Sequence, residues 1–329
     1  MRAVVVDHWM EPEALGLAEA PEPELRPGSI AVEVKAAGCN FFDILMCQGR
    51  YQVKPPLPFI PGAELAGVVT AVGEGVQGFE VGQRIFASCG MGAFAERAVV
   101  AAAGAWRLPE GMSFEEGAAL PVIYPTSYVA LVDRAALQPG ETLLVHAAAG
   151  GVGSAAVQIG KALGARVLAT AGGAEKCKVA REIGADVAID YRAEDFVERV
   201  KQETGGAGAD VIYDPVGGEI FDRSLKCIAW NGRALVIGFA GGTIQQVKAN
   251  RILLKNIAVV GLQWGAYAAK QPERIPQVFQ ALFELFEAGQ IRPLIFRSWP
   301  LAKASEALQA LASRQTWGKL LLTPEGGRR

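Results

Sequence analysis

The sequence has few of the residues from which metal sites are made. Only two histidines, His8 and His146, occur in 329 residues, so a histidine-based metal site is hard to assemble. The five cysteines, Cys39, Cys47, Cys89, Cys177 and Cys227, are scattered, odd in number and free of any C-x-x-C pair. That pattern argues against a disulfide framework and against a structural zinc clip, and reduced thiols in a cytoplasmic protein are the expectation. Charge of one sign is also missing. Lys and Arg number 32 against 34 Asp and Glu, for a net charge of -2, with no dense basic run. Such a balance draws the chain neither to nucleic acid nor to an anionic membrane. Asp7 follows the first apolar residues too soon for a signal-peptide core. The one uncharged stretch that approaches membrane length, residues 142–160, is broken by Gly150, Gly151 and Gly153. A strand, a glycine turn and a helix are expected there instead of a membrane span.

What is present is a globular composition, 51% hydrophobic and 20% charged, in a chain long enough for two domains of about 150 residues each. Residues 29–35 alternate with period two, as a half-buried strand does, after the turn dipeptide Pro27-Gly28. Residues 67–73, 83–87 and 94–100 read as further strands, and Pro55, Pro56, Pro58 and Pro61 as a stiff loop. From about residue 140 strand and helix alternate. Strands are expected at 142–147, 166–170, 186–189, 210–213 and 233–237, with helices at 152–163, 175–183, 196–202 and 220–228. Short loops between such elements mean a parallel, doubly wound sheet. Helices over 272–288 and 304–311 and a strand over 319–322 complete the chain.

The sharpest chemical signal is the run His146-Ala147-Ala148-Ala149-Gly150-Gly151-Val152-Gly153-Ser154-Ala155-Ala156. It sets a glycine-rich turn between a buried strand and a helix. Glycine lets backbone N–H groups approach a pyrophosphate, and the helix dipole favours the anion. Two registers fit the dinucleotide fingerprint: Gly151-x-Gly153-x-x-Ala156 and Ala148-x-Gly150-x-x-Gly153. An NAD site places an acid at the end of the second strand, about 20 residues past the first glycine. Here that place reads Ala169-Thr170-Ala171-Gly172-Gly173. Gly172 and Gly173 leave room for a 2′-phosphate, Lys176, Lys178 and Arg192 can neutralise it, and Tyr191 can lie against it or the adenine. NADPH is therefore the expected cofactor.

Further segments carry a family resemblance: Ala36-Ala37-Gly38-Cys39-Asn40-Phe41-Phe42-Asp43, Gly49-Arg50-Tyr51, Pro55-Pro56-Leu57-Pro58-Phe59-Ile60-Pro61-Gly62, Ala118-Ala119-Leu120-Pro121-Val122, Asp214-Pro215-Val216-Gly217-Gly218 and Ile237-Gly238-Phe239. With the glycine turn, they make nearly the whole chain resemble the zinc-free quinone oxidoreductases of the medium-chain dehydrogenase/reductase superfamily, the group that includes zeta-crystallin. The segments Phe239-Ala240-Gly241-Gly242 and Gly261-Leu262-Gln263-Trp264-Gly265 look most like its quinone-oxidoreductase-like subgroup. The resemblance implies an α/β chain with a GroES-like, mostly-β catalytic domain (residues 1–124 and 265–329) and a Rossmann, doubly wound NADP(H)-binding domain (residues 125–264). The zinc enzymes of the superfamily place a Cys ligand where this chain has Asn40, and a His ligand where it has Ala63. Both ligands are missing, so no catalytic zinc is expected.

The resemblance also assigns roles. Asn40 and Tyr51 are implied to meet the acceptor as catalytic residues, with Trp264 and Tyr267 as a possible stacking wall. Phe41, Thr126, Val216 and Phe239 are implied to line the cofactor beside Gly150, Gly151 and Val152. Leu45 stands where the classical quinone oxidoreductases have a Tyr, which makes that end of the pocket more apolar. His146 is expected as a satisfied buried histidine, and Cys89 and Cys227 as small core fillers. Without a Lewis acid, the easier substrate is an electron-poor acceptor that takes hydride directly, a quinone or an enone. Three functions follow: an NADPH-dependent quinone reductase, an NADPH-dependent 2-enoyl reductase, and an NADPH-binding sensor or structural protein with little turnover. A homodimer is expected, with residues 254–262 as the edge strand that pairs.

Overall fold

Alternation of burial along one strand shows how the first sheet is built. In the computed structural model, which describes residues 1–324, Ile30, Val32 and Val34 of the strand Ser29–Cys39 are buried, and Ala31, Glu33 and Lys35 are partly exposed. That is the period of a sheet with one wet face. The strand runs four residues beyond the expected end, and Ala36–Cys39 are buried on both faces. Their cover comes from the far end of the chain, where Lys319–Thr323 pairs antiparallel with Leu320 opposite Cys39 and Leu322 opposite Ala37. This pairing belongs to a seven-stranded sheet in the order 295–300, 319–323, 29–39, 64–72, 84–88 and 105–107, with Arg97–Ala101 also paired to Ser29–Cys39. A core of Val32, Leu65, Val69, Ile85, Phe94 and Leu320 fills the unit.

The second unit holds six parallel strands in the order Val187–Asp190, Arg166–Ala171, Thr142–Val145, Ala209–Asp214, Ile228–Val236 and Ala258–Gly261. This is the Rossmann order, whose switch point falls between the first strand and the fourth. Ligands of such sheets lie outside the carboxyl ends of the strands at that point. Leu144, Leu168, Ile189 and Ile212 point to one face and pack on Phe196, Val200, Phe221 and Leu225. The uncharged stretch at 142–160 resolves into the strand Thr142–Val145, the glycine turn and the helix Gly151–Ala162. Among the described residues no helix is long and apolar enough to cross a membrane.

Other boundaries also differ from the sequence reading. The units divide at Val122/Ile123 and at Arg292/Pro293, so residues 265–292 stay with the parallel sheet instead of returning to the first unit. The cause is packing. The helix Arg274–Glu287 lies on the helix Ile123–Val129, and the Gln158 side chain clamps the Arg292 backbone through bonds of 3.0 and 2.6 Å. The helix expected at 220–228 is Gly218–Ser224, and Ile228 already begins the next strand. The edge strand expected at 254–262 is shorter. Residues 254 and 255 finish the helix Ala249–Lys255, Asn256 caps it in the left-handed region (φ 51°), and the strand is Ala258–Gly261.

Candidate functional site

The glycine turn leaves Thr142–Val145 at the switch point. Gly153 has no room for a side chain, because a β-carbon there would run into the carbonyl oxygen of Ala147. Close packing of helix on turn is the task of the third glycine of the fingerprint, so the register is Ala148-x-Gly150-x-x-Gly153. Gly150 is then the N-cap. The first intrahelical bond joins the Ser154 N–H to the Gly150 carbonyl at 2.8 Å. The amides of Gly151, Val152 and Gly153 therefore precede the hydrogen-bonded ladder and face the anion position at a 12-residue helix. Beside Thr126, the Ser127 hydroxyl donates to the Val152 carbonyl at 2.9 Å and meets the Tyr213 hydroxyl at 2.9 Å. This brace holds the turn to the neighbouring helix.

The end of the second strand carries no acid, and the structure shows what stands there. One oxygen of Asp190, at the end of the third strand, accepts the Gly173 and Arg192 amides, each at 3.0 Å. Those bonds hold its carboxyl below the usual range and turn residues 191 and 192 over the Gly172–Gly173 loop. The hydroxyl of Tyr191 and Nε of Arg192 crowd the space above Gly172. Lys176 belongs to the same cluster: partial burial, and then repulsion from Arg192, lowers its pKa. Two cations that repel one another next to a second-strand end that carries no acid suit a phosphate monoester. Lys178 is not part of this cluster; it faces out and pairs with Glu182 at 3.7 Å.

Val216 and Phe239 occupy adjoining loops past the fourth and fifth strands. A buried Asp214 oxygen accepts the Val216 and Gly217 amides at 2.7 and 3.0 Å, and the Gly241 amide bonds the Val216 carbonyl at 2.8 Å. Trp264 and Tyr267 lie with ring centres 5.2 Å apart, and Trp264 also meets Phe279 edge-on. His146 is bonded on both ring nitrogens, to Thr170 at 2.9 Å and Ser224 at 2.7 Å. Burial lowers its pKa, so it is a neutral structural histidine. Cys227 is buried and Cys89 partly so.

In the first unit, Asn40 and Phe41 stand where strand Ser29–Cys39 turns into the helix Phe41–Cys47. Asn40 caps that helix, and its amide N–H bonds Asp43 Oδ2 at 2.7 Å. Its side chain is held at both ends. Nδ2 donates to Glu64 Oε1 at 2.7 Å, and Oδ1 accepts from Lys319 Nζ at 2.9 Å. Lys319 also donates to Glu64 Oε1 at 2.5 Å and to the Cys39 carbonyl at 2.8 Å. Glu64 and Lys319 are 0% and 2% exposed, so this is a fully desolvated ion pair with every proton of the ammonium used. Burial raises the Asp43 carboxyl to about 7, against the Asn40 amide and the Lys319 charge; its Oδ1 has no hydrogen-bond partner. Tyr51 is half-buried, 5.5 Å from Phe42 between ring centres, and burial, then the Asp43 charge, raises its pKa. Its hydroxyl stays protonated at neutral pH.

A zinc ion does not fit this cluster. The donors that face one another are an amide, one carboxylate and an ammonium, and among the described residues no three His, Cys, Asp or Glu side chains group to hold a metal. Glu64 and Lys319 as anchors of Asn40, and Asp190 as the anchor of Arg192, were not foreseen as site residues. A lysine heading the apolar strand Lys319-Leu320-Leu321-Leu322 was the available signal.

Comparison with known proteins follows the same division. The family model described as alcohol dehydrogenase GroES-like domain matches residues 26–110, and that described as zinc-binding dehydrogenase matches residues 151–284. A quinone oxidoreductase-like protein 2 homolog from Nematostella vectensis is 40% identical over 98% of this chain and 86% of its own length. Quinone oxidoreductase-like protein 2 from Rattus norvegicus is 38% identical over 98% of this chain and 92% of its own. The crystal structure of Escherichia coli quinone oxidoreductase complexed with NADPH superposes with a TM-score of 0.91 at 34% identity, covering 98% of this chain and 100% of the other.

Proposed function

Because the chain belongs to the quinone oxidoreductase branch of the medium-chain dehydrogenase/reductase superfamily, we propose that it is an NADPH-dependent, zinc-independent oxidoreductase that reduces a quinone or a similarly electron-poor carbonyl acceptor. The observation that carries the cofactor choice is the Lys176–Arg192 pair beside Tyr191 and Gly172, where the second strand ends without an acid of its own. A 2′-phosphate relieves the repulsion between those two cations; a ribose hydroxyl does not. The relative that superposes on this chain and binds NADPH supports the same choice.

Bound there, NADPH supplies the hydride. The first-turn amides of Gly151, Val152 and Gly153 take the pyrophosphate. Thr126, Val216, Phe239 and Phe41 orient the nicotinamide end, and the Asp214 bonds hold the Val216 backbone in place. Asn40 keeps one amide hydrogen for the acceptor oxygen, where negative charge grows during transfer. Tyr51, kept protonated, supplies the proton that completes the hydroquinone. We also propose a two-fold homodimer that pairs through Ala258–Gly261, and a cytoplasmic location, which the five free cysteines favour.

The test is NADPH oxidation with 1,4-naphthoquinone, 9,10-phenanthrenequinone and crotonyl-CoA, with NADH as control. Turnover of the quinones with NADPH preferred is expected. Turnover of crotonyl-CoA alone would replace the quinone with an enoyl thioester. Micromolar NADPH binding without turnover of any acceptor would replace the enzyme with a sensor.

A further inference from the structure

Of Asn40, Glu64 and Lys319, Asn40 alone has a hydrogen-bond donor to spare among the described residues. Lys319 has three protons and uses all of them, on Cys39, Asn40 and Glu64. Glu64 accepts two bonds on Oε1 and the Val122 amide, at 2.9 Å, on Oε2. An amide nitrogen carries two hydrogens, and only one from Asn40 Nδ2 meets a partner among the described residues. The orientation of that amide is also dictated. An ammonium only donates and a carboxylate only accepts. Flipping Asn40 by half a turn would set its NH2 against Lys319 and its oxygen against Glu64, which loses both bonds and opposes like partial charges in a desolvated place. An asparagine between neutral partners has no such constraint.

We propose that the buried Lys319–Glu64 pair is a positioning device that locks the Asn40 amide in one orientation, so that its remaining N–H is always presented as a donor to the acceptor oxygen. The device depends on the two ends of the chain meeting. The antiparallel register that sets Leu320 opposite Cys39 brings residue 319 opposite residue 40 at its next step, and Glu64 enters from the neighbouring strand Glu64–Val72. Lys319 does not itself reach an acceptor, since it is buried and has no free proton. It acts through Asn40, by fixing a dipole before the reaction begins. This inference rests on the reading that Asn40 meets the acceptor.

The test separates orientation from folding. Lys319→Met alone leaves Glu64 charged and unpaired, and that protein is at risk of failing to fold. The double variant Lys319→Met with Glu64→Gln leaves no buried charge unpaired, yet the Val122 N–H takes the oxygen of the new side chain and leaves its NH2 facing Asn40, so the Asn40 amide is no longer held with its nitrogen on that side. The expected result is a folded double variant with unchanged NADPH Kd and KM for NADPH, and a kcat for naphthoquinone reduced about tenfold. Asn40→Ala is expected to give the same loss, and adding it to the double variant no further loss. Lys319→Arg, which retains a donor-only cation, is expected to recover most of the kcat. Wild-type kcat in the double variant, or losses that add to those of Asn40→Ala, would overturn the proposal. The side-chain NH2 resonances of Asn40 in ¹⁵N-labelled protein give a readout that needs no turnover. In the wild type the proton donated to the buried Glu64 carboxylate is expected far downfield of the ordinary side-chain amide range, and in the double variant it is expected to return to that range. If the wild type reduced no acceptor, the proposed function would fail, and these resonances would still decide the positioning: return of the downfield proton to the ordinary range supports it, and an unchanged pair of shifts overturns it.

Discussion

Tyr191 closes over Gly172 so tightly that a β-carbon at position 172 would stand 2.6 Å from its hydroxyl oxygen, and 3.1 Å from Nε of Arg192. Tyr191 is 47% exposed, so its ring can swing outward at little cost to folding. Gly172→Ala should therefore keep the wild-type melting temperature and displace the Tyr191–Arg192 arrangement. Arg192→Ala removes the cation outright. A hydrogen bond to a charged group contributes about 1.5–3 kcal/mol. The Kd for NADPH should thus rise about 10- to 100-fold in Arg192→Ala, with NADH affected less than about twofold. Titration of both cofactors by fluorescence checks this. Equal losses for NADPH and NADH would remove the 2′-phosphate from this loop.

Tyr51 provides a sharper test of the acceptor end. Its hydroxyl is kept protonated by burial and by the Asp43 charge. Tyr51→Phe retains the ring that packs 5.5 Å from Phe42 and deletes the hydroxyl. Loss of a positioned proton donor costs about 100-fold or more in rate. The kcat for quinone should fall by about that factor, with the NADPH Kd unchanged. A wild-type kcat in Tyr51→Phe would assign the proton to water.

The Asp43 carboxyl stands at about 7 in the folded protein, against about 3.9 in an unfolded chain. The folded state therefore favours the protonated form. The stability that this preference contributes is complete below about pH 4 and is lost as pH rises through about 7. Asp43→Asn keeps an oxygen for the Asn40 amide and removes the ionisation. Its melting temperature should exceed that of the wild type by a few degrees at pH 8, and the difference should shrink as pH falls to about 4. Thermal unfolding across that range measures it. A constant difference between pH 4 and 8 would show that Asp43 does not titrate there.

How far the sequence revealed the molecule depended on how local each signal was. The alternation in residues 29–35 and the run from 142 to 214 carried their own periodicity, so the strands and the parallel character of the second sheet could be read directly. Gly150 and Gly153 were legible for the same reason: turn chemistry is written in consecutive residues. The shared site at Asn40 was not. Lys319 and Glu64 reach it from strands 279 and 24 residues away, and neither has a spacing that marks it. The packing of the helix Arg274–Glu287 on Ile123–Val129, which keeps residues 265–292 with the parallel sheet, has no local signature in the sequence. Arg192 could be named from the sequence, but not the Asp190 bond that turns it over the loop.

The edge of the parallel sheet leads to the last prediction. Among the described residues Ala258–Gly261 pairs with Arg233–Val236 on one side only. In the preceding helix Leu253 and Leu254 are 79% and 71% exposed. An unpaired strand edge flanked by exposed apolar side chains is a template for another chain, and a second copy satisfies it by two-fold symmetry. Light scattering should give twice the chain mass for the wild type. Leu254 has little to lose within one protomer, so Leu254→Glu should leave the melting temperature of the isolated chain near its wild-type value while burying a charge in the dimer. A monomeric mass is then expected for Leu254→Glu at micromolar concentration. A dimer that survives this change would lie on another face, and a monomeric wild type would leave the edge unpaired in solution.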